Sequence, residues 1–311
     1  TNKRSQNLVD LCSNDYFGLS RDKDVIKAAY ETSKLEGLGS GSSRFISGTR
    51  PVHESLEREL GKWLGQDRVL LFPSGFQANI AAVQALASRG SIVIADKLIH
   101  NSLITGVKAS GAKLIRFLHN NIKDLEDKIS NFSSQRKPIL VIIEAIYSME
   151  GTIAPLREIV EICKKYNVKL LVDEAHSLGI LGPKGKGLCH NFVESVTMIS
   201  GTFGKSFGSG GAFLACSEEI GEKLIQTSSP FRYTTALSPS LAAGALKALS
   251  KIKYYEWNKD LLNLSNKWRE EIKKIGDFHI KGEGHILSII IGDDTETLNL
   301  QKYLEKKGFL A

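Results

Sequence analysis

The chain has 311 residues, of which 42% are hydrophobic and 24% are charged, and its formal net charge at pH 7 is +7. That size and composition predict a soluble globular protein with one large domain and a smaller one. No apolar run approaches the roughly 20 residues that a membrane-spanning helix needs, so no membrane association is expected. The lysines are scattered in pairs, which indicates solvated helix faces or a field for an anionic ligand rather than a nucleic-acid surface.

The four cysteines, Cys12, Cys163, Cys189 and Cys216, form no C-x-x-C pair. Zinc and redox motifs are therefore not indicated, and no metal site is predicted. We interpret the cysteines as small buried hydrophobic residues of a cytoplasmic protein. The start shows neither a signal-peptide core nor an initiator Met, and the last residues look like a strand cut short, so we expect both ends to be trimmed.

Apolar runs alternate with helical patterns between about residue 50 and residue 216. Apolar residues at helical spacing predict helices at 53–64, 75–87, 122–131 and 156–166. Continuous apolar runs predict strands at 69–72, 92–95, 114–117, 139–144, 170–173, 198–200 and 212–216. Strands of this kind are typical of a sheet covered on both faces, so the predicted fold class is α/β, a three-layer α/β/α sandwich with a mostly parallel sheet.

The texture of the sequence changes after Pro239. Helical patterns at 241–251 and 257–275 precede a predicted strand at 285–291 and a helix at 295–306. This indicates a smaller α+β C-terminal domain. We therefore divide the chain into an N-terminal segment at 1–40, a large cofactor-binding domain at 41–238 and a small domain at 239–311.

Lys205 lies in a turn that is rich in glycine and small hydroxyl residues, downstream of the predicted strand that ends at Asp173. A solvated surface lysine needs no such setting, whereas a lysine that attacks a carbonyl needs a lowered pKa. Pyridoxal 5'-phosphate (PLP) requires a lysine for its aldehyde, a carboxylate for its ring nitrogen and an anion cradle for its phosphate. Asp173 could supply the carboxylate, and His176 could reach the ring hydroxyl.

Other polar residues also follow predicted strands, and ligands of open α/β sheets gather at the carboxyl ends of strands. Gly75 and Phe76 begin a helix after a Ser cap, and the free N–H groups of a helix start bind phosphate. His100 could stack on a cofactor ring, and Ser148 follows the strand at 139–144. Each of these residues also has a purely structural interpretation, as a cap, a turn residue or a packed histidine.

Two further motif matches involve the turn around Lys205. A phosphate-binding G-x-x-x-x-G-K-S loop fails because Ile199 occupies the position of its first glycine. The segment 204–208 does match G-x-S-x-G, the nucleophile elbow of serine hydrolases, with Ser206 as nucleophile. Asp277 and His285 follow in the right order, but an elbow must lead into a helix and a strand is predicted here. A serine hydrolase is therefore kept only as a remote alternative.

Taken together, these segments resemble the α-oxoamine synthases, PLP-dependent enzymes of the aspartate-aminotransferase fold (fold type I). The resemblance covers nearly all of the chain, and its motifs are rare in combination. The matching segments are 13–19 (SNDYFGL), 39–49 (GSGSSRFISGT), 74–79 (SGFQAN), 147–151 (YSMEG), 172–182 (VDEAHSLGILG), 201–208 (GTFGKSFG) and 230–239 (PFRYTTALSP).

The resemblance implies a role for each matching residue. Lys205 would carry the internal aldimine, Asp173 would pair with the ring nitrogen, and His176 with the ring oxygen. His100 would stack on the cofactor ring and would be the fourth catalytic residue. Ser148 would form a hydrogen bond to the cofactor. The phosphate would be held by Gly75, Phe76 and Thr202.

Family members are homodimers with shared active sites. Thr234 and Thr235 are therefore expected to contact the phosphate bound by the partner subunit. Asn14 and Arg44 are expected to bind substrate, Asn14 near the amino-acid carboxylate. The family's C-terminal segment, with an arginine for that carboxylate, and its N-terminal acyl-binding region have no counterpart here.

The reaction that the resemblance implies is the decarboxylative condensation of L-alanine with pimeloyl-CoA or pimeloyl-carrier protein, a step of biotin biosynthesis. CoA or the carrier thiol leaves and carbon dioxide is lost. Other members of the family remain alternatives: glycine C-acetyltransferase, 5-aminolevulinate synthase and serine palmitoyltransferase. A catalytically silent PLP-binding protein is the alternative outside enzymes, although Lys205 and Asp173 are both present.

Overall fold

The structure is a computed structural model, and it describes residues 8–135 and 137–311. The first seven residues of the predicted N-terminal segment lie outside the described residues. The helices, in chain order, are α1 (Lys23–Glu36), α2 (Pro51–Leu64), α3 (Gly75–Leu86), α4 (Asn101–Ser110), α5 (Ile122–Ser133), α6 (Leu156–Lys165), α7 (Glu218–Thr227), α8 (Ser229–Arg232), α9 (Pro239–Tyr254), α10 (Trp257–Ile275) and α11 (Asp294–Lys306).

The strands are β1 (Val9–Asp10), β2 (Arg68–Phe72), β3 (Ile92–Asp96), β4 (Lys113–Phe117), β5 (Ile139–Glu144), β6 (Lys169–Asp173), β7 (Met198–Thr202), β8 (Ala212–Cys216), β9 (Ile280–Lys281), β10 (Ser288–Ile289) and β11 (Phe309–Leu310). Within the described residues, the main sheet has the strand order β2-β8-β7-β6-β5-β3-β4. Only β8 runs antiparallel to its neighbours, β2 and β7. The predicted α/β/α sandwich with a mostly parallel sheet is thus confirmed.

Burial explains why the strands could be predicted. Every residue of β3, β5 and β8 is buried, since helices cover both faces of the sheet. These strands belong to one hydrophobic core that also includes Leu56 and Leu60 of α2. The crossover helices α5 and α6 place one apolar face on that core, through Leu125, Ile129 and Ile159 among others.

The predicted strand at 285–291 is wrong in its extent. Only β10 (Ser288–Ile289) is a strand there, and it pairs antiparallel with β9 in a small two-stranded sheet. The apolar run continues on both sides of β10, but β9 offers a partner for two residues only. The last strand, β11, pairs in parallel with β1 near the start of the chain.

The C-terminal part of the chain combines helices with these short strands, as the predicted α+β character requires. Helix α9 begins at the predicted domain boundary, and its Ala242, Ala245 and Leu249 are buried in the same core as the main sheet. The division at residue 239 therefore stays a prediction. No helix in the described part of the chain is both long and apolar enough to cross a membrane.

Register brings the predicted site together. In the parallel sheet, Glu144 at the end of β5 is the partner of Asp173 at the end of β6, and Asp173 is the partner of Ser200 in β7. Because parallel strands end at the same edge, side chains that are far apart in sequence meet at one rim.

Candidate active site

A cavity of about 190 Å³ opens at the carboxyl ends of β5, β6 and β7. It collects residues from these strand ends, from the turns that follow β6 and β7, and from the starts of α3 and α4. The lining residues are Gly75, Phe76, Asn79, His100, Ser102, Glu144, Asp173, Ala175, His176, Ser200, Gly201, Thr202 and Lys205. The cavity thus brings together Lys205, Asp173, His176, His100, Gly75, Phe76 and Thr202, which the sequence assigned to one site.

Asp173 is buried at the end of β6, and two donors hold its carboxylate. Asn79 Nδ2 donates to one oxygen at 2.8 Å, and the backbone N–H of Ala175 donates to the other at 2.9 Å. Asn79 Nδ2 also reaches Ser102 Oγ at 2.9 Å. Asp173 therefore presents a buried carboxyl group, held by two hydrogen-bond donors, to the cavity, and a cationic ligand would complement it.

Lys205 and His176 contact each other across the cavity. Lys205 Nζ lies 2.6 Å from His176 Nε2. Burial lowers the pKa of Lys205, although the carboxylates of Asp173 and Glu144 act in the opposite direction. Burial and, next, the charge of Lys205 lower the pKa of His176 to about 2, so this imidazole is neutral at pH 7. A lysine whose pKa is lowered is more often unprotonated, which is the form that attacks an aldehyde.

Tyr16 was not singled out by the sequence, yet it completes this cluster. Its Oη lies 2.6 Å from His176 Nδ1 and donates to Asn14 Oδ1 at 3.2 Å. The ring of His285 meets the Tyr16 ring edge-on, with centroids 4.2 Å apart. Tyr16 belongs to the same motif as Asn14, so the motif was the available signal, but contact with His176 arises only from the fold.

Glu144 is a second residue that sequence reasoning left without a role in the site. It is buried in the cavity wall, and its carboxyl group accepts a hydrogen bond from the backbone N–H of His100. Burial and then the nearby charge of Asp173 raise the pKa of Glu144. His100 caps α4, with Nδ1 2.7 Å from Ser102 Oγ. Glu144 and Ser102 thereby fix the backbone and the ring of His100.

The start of α3 forms a small anion cradle beside this cluster. The first N–H groups of a helix, here those of Gly75 and Phe76, have no acceptor within the helix. A Cβ placed on Gly75 would lie 3.7 Å from the Cβ and Oγ1 atoms of Thr202, and one on Gly204 would lie 3.7 Å from the same Oγ1. Both glycines and Thr202 therefore surround one space toward which the helix dipole points its positive end.

This donor set fits pyridoxal phosphate. Lys205 offers an amine for the aldehyde, Asp173 offers a carboxylate for a protonated ring nitrogen, and the start of α3 offers N–H groups for the phosphate. The buried Ser200 Oγ in the wall has no hydrogen-bond partner among the described residues, which also indicates a site for a polar ligand.

The structure places the other predicted residues outside the lining of this cavity, as the described residues form it. Ser148 is half-buried beyond β5, and Thr234 and Thr235 lie just before α9. Arg44 forms a bidentate ion pair with Glu57, with Nη1 2.7 Å from Oε1 and Nη2 2.9 Å from Oε2, and it lines a different cavity. Asn14 is exposed, beside Gly204 in a neighbouring cleft. The roles assigned to these residues stay predictions.

The remote hydrolase interpretation is wrong for this fold. Ser206 is 1% exposed, and its Oγ donates to the carbonyl of Leu178 at 2.7 Å, so it is not available as a nucleophile. The turn leads into strand β8 rather than a helix. The ring nitrogens of His285 have no hydrogen-bond partner within the described residues, so no triad is formed.

Comparisons with known proteins point to the same chemistry. The profile of the family described as aminotransferase class I and II matches residues 6–310. An 8-amino-7-oxononanoate synthase of Saccharophagus degradans is 36% identical over 309 residues, which are 98% of this chain and 77% of that relative.

Two solved structures are similar throughout. Serine palmitoyltransferase of Sphingomonas wittichii has a TM-score of 0.93 and 29% identity, covering 97% of this chain and 77% of that one. A serine palmitoyltransferase variant of S. paucimobilis, solved with a bound PLP–myriocin aldimine, has a TM-score of 0.92 and 29% identity, covering 97% of this chain and 80% of that one.

Proposed function

Since the chain belongs to the aminotransferase class I and II family of PLP-dependent enzymes, we propose that it joins L-alanine to a pimeloyl thioester with loss of carbon dioxide. The product would be 8-amino-7-oxononanoate, the compound in the name of the relative that is 36% identical. The observation that carries the proposal is the meeting of Lys205, His176 and Asp173 at one cavity. The chain is an enzyme of the PLP-dependent acyltransferase type.

The carbon skeletons agree with this reaction. A seven-carbon acyl group joined to a three-carbon amino acid gives the nine-carbon product when one carbon is lost as carbon dioxide. The bond that forms joins the α-carbon of alanine to the thioester carbonyl carbon. The thiol of CoA or of a carrier protein leaves with a proton, and loss of carbon dioxide leaves an electron pair at the same α-carbon, which takes up a proton to give the product.

Lys205 has two tasks in this proposal. Its Nζ would hold the cofactor through the aldehyde, and the incoming amino acid would leave this amine free. The free Nζ would then take the α-proton of alanine, since its lowered pKa favours the unprotonated amine. When bound, pyridoxal phosphate supplies the electron sink that stabilises the resulting carbanion.

The remaining residues bind and orient. Asp173, held by Asn79 and Ala175, would keep the ring nitrogen protonated through an ion pair. His176 would face the ring oxygen, and His100, fixed by Glu144, would stack on the ring. The cradle at the start of α3, with Thr202, would hold the phosphate, and Ser148 would add a hydrogen bond. Asn14 and Arg44 would contact substrate.

We further propose a cytoplasmic homodimer, in which Thr234 and Thr235 contact the phosphate bound by the partner subunit. Large apolar side chains near these threonines are exposed, among them Leu38, Ile46 and Tyr233 at 74–79% exposure. Hydrogen bonds from the Ala236 N–H to the Ser42 carbonyl and from Ser40 Oγ to the Leu237 carbonyl join the two segments that carry these side chains. Contiguous exposed apolar surface is typical of an interface. The domains would be those predicted, with 41–238 holding the cofactor.

Serine palmitoyltransferase activity is the second candidate, because the two solved structures with TM-scores of 0.92 and 0.93 carry that name. We rank it second because identity to those chains is 29%, against 36% to the 8-amino-7-oxononanoate synthase. The two reactions share the lysine, the aspartate and the cradle. They differ in the amino acid and in the length of the acyl chain.

The test is a matrix of substrates offered to the full polypeptide loaded with PLP. Alanine, glycine and serine are each combined with pimeloyl-CoA, acetyl-CoA and palmitoyl-CoA, with thiol release and product mass as readouts. We expect turnover with alanine and pimeloyl-CoA, loss of turnover and of the visible absorption band in Lys205→Ala, and no change in the exposed-lysine control Lys164→Ala. Preference for serine with palmitoyl-CoA or for glycine with acetyl-CoA would reassign the enzyme within the family.

A further inference from the structure

A chain of hydrogen bonds runs from the cavity to the protein surface. Lys205 Nζ lies 2.6 Å from His176 Nε2, and His176 Nδ1 lies 2.6 Å from Tyr16 Oη. Tyr16 Oη in turn lies 3.2 Å from Oδ1 of the exposed Asn14. Each contact is within hydrogen-bond distance, so the four side chains act as one connected unit.

The orientation of the Asn14 amide, with Oδ1 towards Tyr16 Oη, sets the direction of the hydrogen bonds in this unit. An amide oxygen only accepts, so the single hydroxyl hydrogen of Tyr16 must point to Asn14 Oδ1. Tyr16 Oη can then only accept from His176, which requires a hydrogen on Nδ1. A neutral imidazole carries one hydrogen, so Nε2 is bare and accepts a hydrogen from Lys205 Nζ.

The surroundings keep each group in the state that this direction needs. Burial, followed by the charge of Lys205, lowers the pKa of His176 to about 2, so the imidazole stays neutral. Burial raises the pKa of Tyr16, so its hydroxyl keeps its hydrogen. The edge-on contact with the ring of His285, at 4.2 Å between centroids, holds the Tyr16 ring in place.

We propose that Tyr16 is a positioning residue that holds His176 in the Nδ1–H tautomer, so that the bare Nε2 faces Lys205 as a hydrogen-bond acceptor. The consequence for catalysis rests on the proposed function. When Lys205 Nζ takes the α-proton of the amino acid, the ammonium group that forms donates to Nε2. Removing the Tyr16 hydroxyl frees His176 to take the other tautomer, whose Nε2–H would oppose that ammonium group.

The test begins with the protein free of cofactor and labelled with ¹⁵N in its histidines. The protonated and the bare ring nitrogens of a neutral histidine have well-separated ¹⁵N shifts, and the His176 signals are assigned from their loss in His176→Asn. We expect the wild type to show Nδ1 protonated and Nε2 bare. Tyr16→Phe keeps the ring and its contact with His285, and it should give a mixture of tautomers. Asn14→Ala, a change at an exposed position, should shift the population in the same direction.

A second readout uses the enzyme loaded with PLP, with alanine in deuterated water. Tyr16→Phe should slow exchange of the alanine α-proton about fivefold, which corresponds to about 1 kcal/mol, the worth of one neutral hydrogen bond. The control Tyr30→Phe, at an exposed tyrosine of α1, should change neither readout.

The outcomes separate this inference from the proposed function. A wild-type signal with Nε2 protonated, or a Tyr16→Phe protein with an unchanged tautomer, overturns the role of Tyr16 whatever the reaction is. Wild-type enzyme with the expected tautomer but without α-proton exchange supports the role of Tyr16 in holding the ring and overturns the proposed function instead.

Discussion

Replacing Asn79 by Ala tests whether the orientation of Asp173 is set by its neighbours. Asn79 is buried on α3, and its Nδ2 donates both to Asp173 Oδ2 and to Ser102 Oγ. Its own Oδ1 has no partner among the described residues. The substitution therefore removes two hydrogen bonds and also removes one buried acceptor that was unsatisfied.

These contributions to the free energy of unfolding partly cancel. The bond to the charged carboxylate is worth about 1.5–3 kcal/mol and the bond to the hydroxyl about 0.5–1.5 kcal/mol, whereas the unsatisfied oxygen costs about 1–3 kcal/mol. The net loss in free energy of unfolding is about 1 kcal/mol, or a fall in Tm of about 2–4 °C by the scaling for large domains. The affinity for the cofactor is not offset in this way, because relief of the unsatisfied Asn79 oxygen does not help binding while Asp173 loses one of its two hydrogen-bond donors. A loss of about 1.4 kcal/mol there raises the Kd for PLP about tenfold.

The assay pairs thermal melting of the cofactor-free protein with a PLP titration followed by the visible absorption band. Asn131→Ala is the matched control, since Asn131 is an exposed asparagine in α5. We expect Asn79→Ala to lose cofactor affinity out of proportion to its small loss of Tm, and Asn131→Ala to lose neither. Wild-type affinity for PLP in Asn79→Ala would refute the idea that Asn79 orients Asp173.

Three further measurements address the fold and the site. Burial, then the charge of Arg44, lowers the pKa of His53 to about 4, so the unfolded chain binds more protons than the folded protein between pH 4 and 6.5. Urea unfolding of the cofactor-free protein should therefore show the free energy of unfolding falling by about 3 kcal/mol from this residue as the pH drops through that window. His53→Gln should reduce the pH dependence of the free energy of unfolding by about one proton. Gly75→Ala adds a methyl group 3.7 Å from Thr202, an ordinary contact, so the Tm should stay near that of the wild type. Because the methyl group occupies the space of the anion cradle, the affinity for inorganic phosphate or PLP, measured by calorimetry, should fall. An affinity equal to that of the wild type would count against the cradle. Gly201→Ala would place a Cβ 2.5 Å from the Phe213 ring, and differential scanning calorimetry should record a loss of about 1–3 kcal/mol from overpacking.

The parts of the fold that the sequence predicted are those in which burial leaves a one-dimensional pattern. The strands at 139–144 and 212–216 are continuous apolar runs because helices cover both faces of the sheet. The run at 285–291 is also mostly apolar, but a strand needs a partner as well, and β9 pairs with only two of its residues. Helix α1 escaped notice although Asp22 caps it by accepting from two backbone N–H groups, a signal that the sequence does contain.

The residues of the site also divide into those visible in a local stretch of sequence and those that depend on a partner far away in the chain. Lys205, Asp173 and His176 could be predicted because each lies in a local motif whose chemistry is legible from neighbouring residues. Tyr16 could not, since it is 160 positions from His176 and its role depends on the contact between them. Asn79 likewise looks like an ordinary polar residue of an Ala-rich helix until the fold brings it within 2.8 Å of Asp173.

Three acids lie at the ends of neighbouring strands, and their contacts distinguish Asp173 from the other two. Asp96, Glu144 and Asp173 are all buried at the same rim. Asp96 does not line the cavity, and its oxygens already accept from His119 and from two backbone N–H groups. Burial and the proximity of Asp173 raise the pKa of Glu144, which favours its neutral form. Asp173 is thus the acid at this rim that both lines the cavity and accepts hydrogen bonds from Asn79 Nδ2 and the backbone N–H of Ala175, so it is the one placed to pair with a cationic ligand.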